Sequence, residues 1–208
     1  AGMPAPLFPL VLLATGVVVG FAGIPLERLL RTIYNKPESL QLLLTFALLL
    51  MVQDVLRFGW GANPQQLGSL SSTYGTLAVG EIMMPVYNAM VIVMAIALSV
   101  ALALFLGRTS AGKILRATAE NRDTAAAMGV NIKRVYMLVF TLGTMLGTVG
   151  GALVAPTAAA SLEMGVELVV EAFAVVVIGG LGSMKGAAVG AAIVGIVRAL
   201  ALAVYPEA

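Results

Sequence analysis

Six times between Leu7 and Val204 the sequence runs apolar for most or all of the thickness of a bilayer: Leu7–Leu26, Leu40–Gly59, Val86–Leu106, Val135–Pro156, Leu168–Leu181 and Ala187–Val204. A hydrocarbon core of about 30 Å takes roughly 20 helical residues to cross. Five of the runs meet or approach that length. Leu168–Leu181 is short unless it begins among the glutamates that precede it or is capped by other helices. Composition agrees, with 60% hydrophobic and 11% charged residues and a mean hydropathy of +1.02. Soluble domains sit near about 45–50% and 25%. The expected fold is all-α: one polytopic helical membrane domain over 1–208, with about six transmembrane segments and a short cytoplasmic helix in the loop 107–134.

The Lys and Arg residues alternate by loop. Glu27–Ser39 holds three, Gly61–Pro85 none, Gly107–Arg134 six, Thr157–Val170 none, and Lys185 stands alone in the last turn. Basic loops are retained in the cytoplasm during insertion. Glu27–Ser39, Gly107–Arg134 and Gly182–Lys185 are therefore expected inside, and Gly61–Pro85 and Thr157–Val170 outside. Both ends of the chain then lie outside, provided that the fifth and sixth runs both cross.

Gly107–Arg134 is the one long polar insert, with half of the chain's twelve Lys and Arg residues. Lys113–Met128 is rich in Ala, Arg, Glu and Met, all good helix formers. Gly129 follows as a stop, with Asn131 just beyond. The spacing predicts one helix over Lys113–Met128, lying on the cytoplasmic face. Ala125, Ala126 and Ala127 offer a small smooth surface, flanked by Glu120, Arg122 and Asp123 for polar contacts. Such a loop is longer than a simple helix connection of roughly 2–8 residues.

Several chemistries are disfavoured. The chain has no Cys and no His, which removes thiolate metal sites, disulfides and the commonest metal ligand and general base. No metal site, cofactor or catalytic residue is expected, and no nucleic-acid partner. Gly107–Lys113 (GRTSAGK) looks like a phosphate-binding loop, but Ile114 stands where Ser or Thr would hold magnesium. The glycines at Gly179, Gly180 and Gly182, with Ser183, read as a tight turn between two membrane segments rather than a dinucleotide loop. An intramembrane enzyme would need paired carboxylates, and Asp54 has no second acid within one turn.

Polar residues inside the runs carry two readings each. Gln53, Asp54 and Arg57 lie near the outer end of the second run, where Asp54 and Arg57 can pair at i, i+3. They form either an interfacial ion pair or the polar lining of a pathway. Glu163, Glu167 and Glu171 share one face of a helix; they form a solvated rim, dock an external protein or attract an ammonium group. Arg198, within the sixth run, faces protein or water. Small residues mark helix seams at Gly16-x-x-x-Gly20, at Gly143, Gly147 and Gly151, and at Ala187, Ala191 and Gly195.

Three stretches resemble the permease subunits of branched-chain amino acid ABC importers: Pro25–Tyr34 (PLERLLRTIY), Arg116–Tyr136 (RATAENRDTAAAMGVNIKRVY) and Ala172–Ala191 (AFAVVVIGGLGSMKGAAVGA). The resemblance extends from about Gly23 to Leu200, is specific in Leu115–Tyr136 and Ala172–Gly190, and is vague over Asn63–Pro85. It implies a multi-pass protein of a prokaryotic inner membrane that pairs with a second permease subunit. It also implies two cytoplasmic ATPase subunits and an extracytoplasmic substrate-binding protein as partners. The family's contact with the ATPase falls on Ala119, Glu120, Asn121, Arg122, Asp123, Ala126 and Gly129. Family members open with a further helical region carrying an Asn-Phe-Ala-His-Gly-like motif and continue past Tyr205 with another span, so the chain is expected to be truncated at both ends. Import of a branched-chain or other small amino acid is the leading function. Permeases for urea, short amides or sugars, and a non-transporting membrane scaffold, are the alternatives.

Overall fold

The computed structural model describes residues 8–34, 36–61, 63–64, 75–79, 82–157, 160–180 and 183–204. Helix dominates because a bilayer offers no water to backbone N–H and C=O groups, so each span must satisfy them internally. That requirement overrides the weak helix propensity of the many valines. Helix α1 (Phe8–Leu30) runs on through a 3-10 turn, Arg31–Ile33, and α2 covers Glu38–Trp60. Gly61, at φ 86°, closes α2 and donates its N–H to Arg57 O. Strands β1 (Thr76–Val79) and β2 (Ile82–Pro85) pair antiparallel, with Thr76 opposite Pro85 and Val79 opposite Ile82. Helix α3 (Val86–Arg108) leads into the polar insert, and α6 (Ile132–Val154) leaves it. The remaining long helices are α7 (Glu163–Gly179) and α8 (Met184–Val204).

Helices α1, α2, α3 and α6 are long and apolar enough to cross a membrane. The fifth run does start among the glutamates, at Glu163, and its 17 residues extend about 25 Å at 1.5 Å per residue. Two boundaries differ from the sequence reading. The polar break expected at Glu27 begins later, because α1 carries Glu27 and Arg28 within its last turns. The segment Gly61–Pro85, read as a loop, holds the two-stranded ribbon, in which the aliphatic residues of Ile82–Met84 extend up to Pro85.

Residues 1–162 form one compact unit. Its organising contact is α1 against α6. Gly16, Gly20 and Gly23 recur at i, i+4 and i+7 and let the two helices approach closely. A Cβ on Gly16 would fall 2.5 Å from Val149 Cγ2, one on Gly23 would fall 2.8 Å from Thr144 Oγ1, and one on Gly20 would enter the Met145 side chain. Leu12 continues this stripe into a cluster with Val149 and Leu153, against which Val91, Met94 and Leu98 of α3 pack. Tyr87, fully buried at the start of α3, donates its phenol to Leu153 O at 2.8 Å. Lipid is as apolar as leucine, so close backbone approach and a buried hydrogen bond, more than apolar burial, hold these helices together.

Residues 163–208 form the second unit, a hairpin of α7 and α8. A Cβ on Gly179 would lie 2.5 Å from the Gly186 carbonyl, and one on Gly190 would lie 2.7 Å from Val175 O, so only glycine permits this approach. Gly180 takes φ 83° in the turn, and Ser183 Oγ accepts from Gly186 N at 3.0 Å to start α8. Gly179, Gly180 and Ser183 thus lie at the end of α7 and the start of α8, where the turn was expected, while Gly182 lies outside the described residues.

Candidate functional site

The polar insert folds as two helices rather than the single one expected over Lys113–Met128. Helix α4 is Ser110–Glu120 and α5 is Arg122–Ala127. Thr109 Oγ1 accepts from Gly112 N at 3.0 Å and caps α4. This is the role of the loop-like GRTSAGK stretch. A Cβ on Gly112 would meet Leu106 Cα and Phe105 O at 2.5 Å, so glycine is needed where α4 folds back on the end of α3. The break falls at Asn121, which is extended (φ −151°, ψ 98°) and whose Oδ1 accepts from Thr124 N at 2.9 Å. A short amide side chain that competes for backbone N–H groups favours a cap over a helix interior.

Gly129 ends α5 as read from sequence. At φ 86° it forms a Schellman cap: Val130 N donates to Ala125 O at 3.1 Å, and Gly129 N to Ala126 O at 3.0 Å. Asn131 Oδ1 then accepts from Arg134 N at 3.2 Å and starts α6. Between the two asparagine caps the chain turns sharply with little slack.

Ala119, Glu120, Asn121, Arg122, Asp123, Ala126 and Gly129 are all exposed. Ala125, expected to belong to the smooth outer surface, is instead buried at 5% exposure. The outer surface of α5 is Ala126 and Ala127, followed by Met128 at 81% exposure. Met128 was missed in the sequence reading, where it counted only as a helix former. A flexible thioether left in the open is a common feature of adaptable binding surfaces.

The insert is tied to the ends of two spans. The Arg122 guanidinium lies 5.6 Å from the centre of the Tyr136 ring, near the start of α6. Tyr136 packs edge-on against Tyr34, just beyond α1, with centroids 5.0 Å apart and planes at 76°. Partial burial and the Glu27 charge raise the Tyr34 pKa above its ordinary value, so the phenol is neutral at physiological pH. One turn back, Arg31 donates to both carboxylate oxygens of the fully buried Glu27, at 3.1 and 2.7 Å, and to Lys133 O at 3.4 Å. Tyr34, Gln41, Tyr136, Val139 and Phe140 line a cavity of about 290 Å³ beside this cluster. The Glu27–Arg31 spacing is visible in sequence, but the Tyr34–Tyr136 contact is not, because nothing local links positions 102 apart.

The other sequence candidates are scattered. Gln53 Nε2 donates to Leu162 O at 2.9 Å, which makes it a strap between α2 and the segment before α7. Asp54 and Arg57 are exposed on α2, and of their two readings the ion pair is absent among the described residues. An exposed pair gains little against the side-chain entropy needed to hold it. A Cβ on Gly143, Gly147 or Gly151 would meet nothing within 4 Å among the described residues, so that stripe of α6 is unpacked by them. Gly195 is open likewise, and the close contacts of α8 come from Gly186 and Gly190. Arg198, exposed on α8, pairs with Glu171 of α7.

The curated relatives carry consistent names. The chain is 26% identical over 192 residues to the high-affinity branched-chain amino acid transport system permease protein LivH of Escherichia coli K12, covering 90% of this chain and 62% of that protein. It is 22% identical over 208 residues to BraD of Pseudomonas aeruginosa, a permease protein of the same description, covering 97% and 68%. It is 31% identical over 105 residues to a probable LivH of Methanocaldococcus jannaschii, covering 50% and 33%. The chain therefore spans under two thirds of the LivH proteins of Escherichia coli. No solved structure matches it. Four membrane-length helices among the described residues, and permease relatives, make it a multi-pass plasma-membrane protein. The model of the family described as branched-chain amino acid transport system, permease component, matches residues 1–207, and the chain belongs to that family.

Proposed function

We propose that this chain forms the membrane path of an ATP-driven importer for branched-chain or other small amino acids, with α5 as the element on which the ATPase pushes. The partners are a second permease subunit, two cytoplasmic ATPase subunits and an extracytoplasmic substrate-binding protein. ATP hydrolysis belongs to the separate subunits, and this chain performs no covalent chemistry. The observation that carries the reading is the coupling insert itself. It is a short, rigidly capped helix with exposed Glu120, Arg122, Asp123, Ala126 and Met128, and its Arg122 is stacked on the ring that leads into α1 and α6.

The mechanism follows from stiffness. The Asn121 cap and the Schellman glycine fix α5 at its two ends, so a push on it is not absorbed as local unwinding. Displacement passes through Tyr136 to α6 and through Tyr34 to α1, which are already packed together along the glycine stripe. A small shift at the cytoplasmic face then becomes a rigid-body tilt of the pair. The open Gly143, Gly147 and Gly151 stripe offers α6 a surface on which to slide against a neighbouring helix.

The test uses Glu120→Lys and Gly129→Leu in the assembled transporter, reconstituted in vesicles. The first reverses the charge at the end of α4. The second places a side chain at φ 86°, where L residues are strained, and so misaligns the end of α5. Both are expected to insert normally while uptake per ATP hydrolysed falls, or while the ATPase subunits wash off the membrane. Full assembly with unchanged uptake in both variants would falsify the coupling role.

A further inference from the structure

The stretch just beyond α1, the start of α2 and the start of α6 meet around an open recess of about 290 Å³, lined by Tyr34, Gln41, Tyr136, Val139 and Phe140. Its lining changes character with depth. Tyr34 follows the last turn of α1 and Tyr136 lies in the first turns of α6, whereas Val139 and Phe140 lie one turn further into the span. Val139 is 49% exposed, which leaves the recess open on the lipid side. Tyrosine favours this level of a bilayer, where an apolar ring ends in a polar hydroxyl.

The rim is cationic. The flanking stretches 27–38 and 131–136 carry five basic side chains against two acids, Glu27 and Glu38. Glu27 is already paired with Arg31. Gln41 Nε2 donates to Tyr34 O at 3.4 Å and to Lys36 O at 3.0 Å, which sets the exposed Lys36 beside the recess. Lys133, also exposed, precedes Tyr136 by one turn on α6 and shares its face. Neither phenol hydroxyl has a hydrogen-bond partner among the described residues, although each can donate one.

We propose that this recess holds the headgroup of an anionic phospholipid from the cytoplasmic leaflet. Lys36 and Lys133 take the negative charge, the two phenols donate to the phosphate oxygens, and an acyl chain passes over Val139 into the hydrocarbon. Basic recesses between spans on the cytoplasmic side suit acidic headgroups. A soluble anion would use the lysines and leave Val139 and Phe140 without an occupant. A zwitterionic lipid would bring its own cation against the same rim. Because the Tyr136 ring lies under Arg122 of α5, a lipid seated here braces the polar insert against the membrane surface. The site needs only the membrane placement of α1, α2 and α6, and is independent of what the transporter carries.

The experiment places a single cysteine at Val139 of this Cys-free chain, in the complete transporter stripped of lipid in detergent. Its modification by a small uncharged thiol reagent is followed at that position by peptide mass. Phosphatidylglycerol at ten times its dissociation constant should slow modification about tenfold, as mass action requires. Phosphatidylcholine with the same acyl chains, and glycerol 3-phosphate, which has the phosphate without chains, should protect poorly. Lys36→Gln together with Lys133→Gln should weaken protection by phosphatidylglycerol about 25-fold, at about fivefold for each basic residue facing an acidic lipid surface. Should the double variant fail to assemble, Lys36→Gln alone, with about a fivefold loss, decides instead. Equal protection by phosphatidylcholine overturns the site in favour of ordinary boundary lipid. Equal protection by glycerol 3-phosphate overturns it in favour of a soluble anion, and unaltered protection in the lysine variants overturns it as well. A cysteine that never reacts in the lipid-free transporter also overturns it, because a partner subunit then covers the recess.

Discussion

Replacing Tyr34 and Tyr136 by leucine, singly and together, isolates the contact that joins the ends of α1 and α6 beside the polar insert. The rings meet edge-on at 5.0 Å and 76°. Aromatic pairs in this geometry contribute about 0.5–1.5 kcal/mol beyond the area they bury. Both rings are half-buried, so a coupling energy of about 1 kcal/mol is expected from the cycle. Leucine keeps most of the apolar volume, and Tyr34 O, which accepts from Gln41 Nε2 at 3.4 Å, is backbone and is retained. A second cycle between Arg122→Gln and Tyr136→Leu should give less, about 0.5 kcal/mol, because Arg122 is exposed and screened. The assay is reversible unfolding of the detergent-solubilised protein, followed by far-ultraviolet circular dichroism, with the four members of each cycle compared under one condition. Independent sites add to within about 0.3–0.5 kcal/mol. A Tyr34–Tyr136 coupling inside that band would show that the rings are neighbours without being a mechanical link, and α5 would then lack its connection to α1.

Two further outcomes follow from the turn and from the exposed insert. Gly180→Val should lower folded yield, because φ 83° costs an L residue about 1–2 kcal/mol and a β-branched one more; normal yield and uptake would show the turn to be unconstrained. In a Cys-free background Met128→Cys should react with a membrane-impermeant thiol reagent only after the cytoplasmic face is opened, whereas Thr118, although in the same loop, is buried at 5% exposure and is a poor probe; labelling of Met128→Cys on intact cells would reverse the topology.

The spans, the alternation of Lys and Arg between loops and the stop at Gly129 are properties of short stretches. Each rests on the transfer of one segment into lipid, or on the backbone freedom of one residue, so the sequence alone determines them. Asn121 shows where local reading ends: the same residue sits neutrally inside a helix or caps a new one, and only its bond to Thr124 N decides. Seams are harder still. Gly16, Gly20 and Gly23 are packed on α6, whereas Gly143, Gly147 and Gly151 on α6 itself face open space among the described residues. Both stripes have the same spelling, and an apolar neighbour helix is nearly indistinguishable from lipid in transfer energy, so composition does not choose between them. The choice is made by which helices lie side by side. The same holds for the charges. Glu27 is buried beside Arg31, which reaches both it and Lys133 O, and the exposed Arg198 is paired because Glu171 is brought opposite it from 27 residues away. Sequence marks these residues as costly in a membrane, and tertiary structure supplies the partners that make them tolerable, because the interaction of two charges depends on their separation in space and not along the chain.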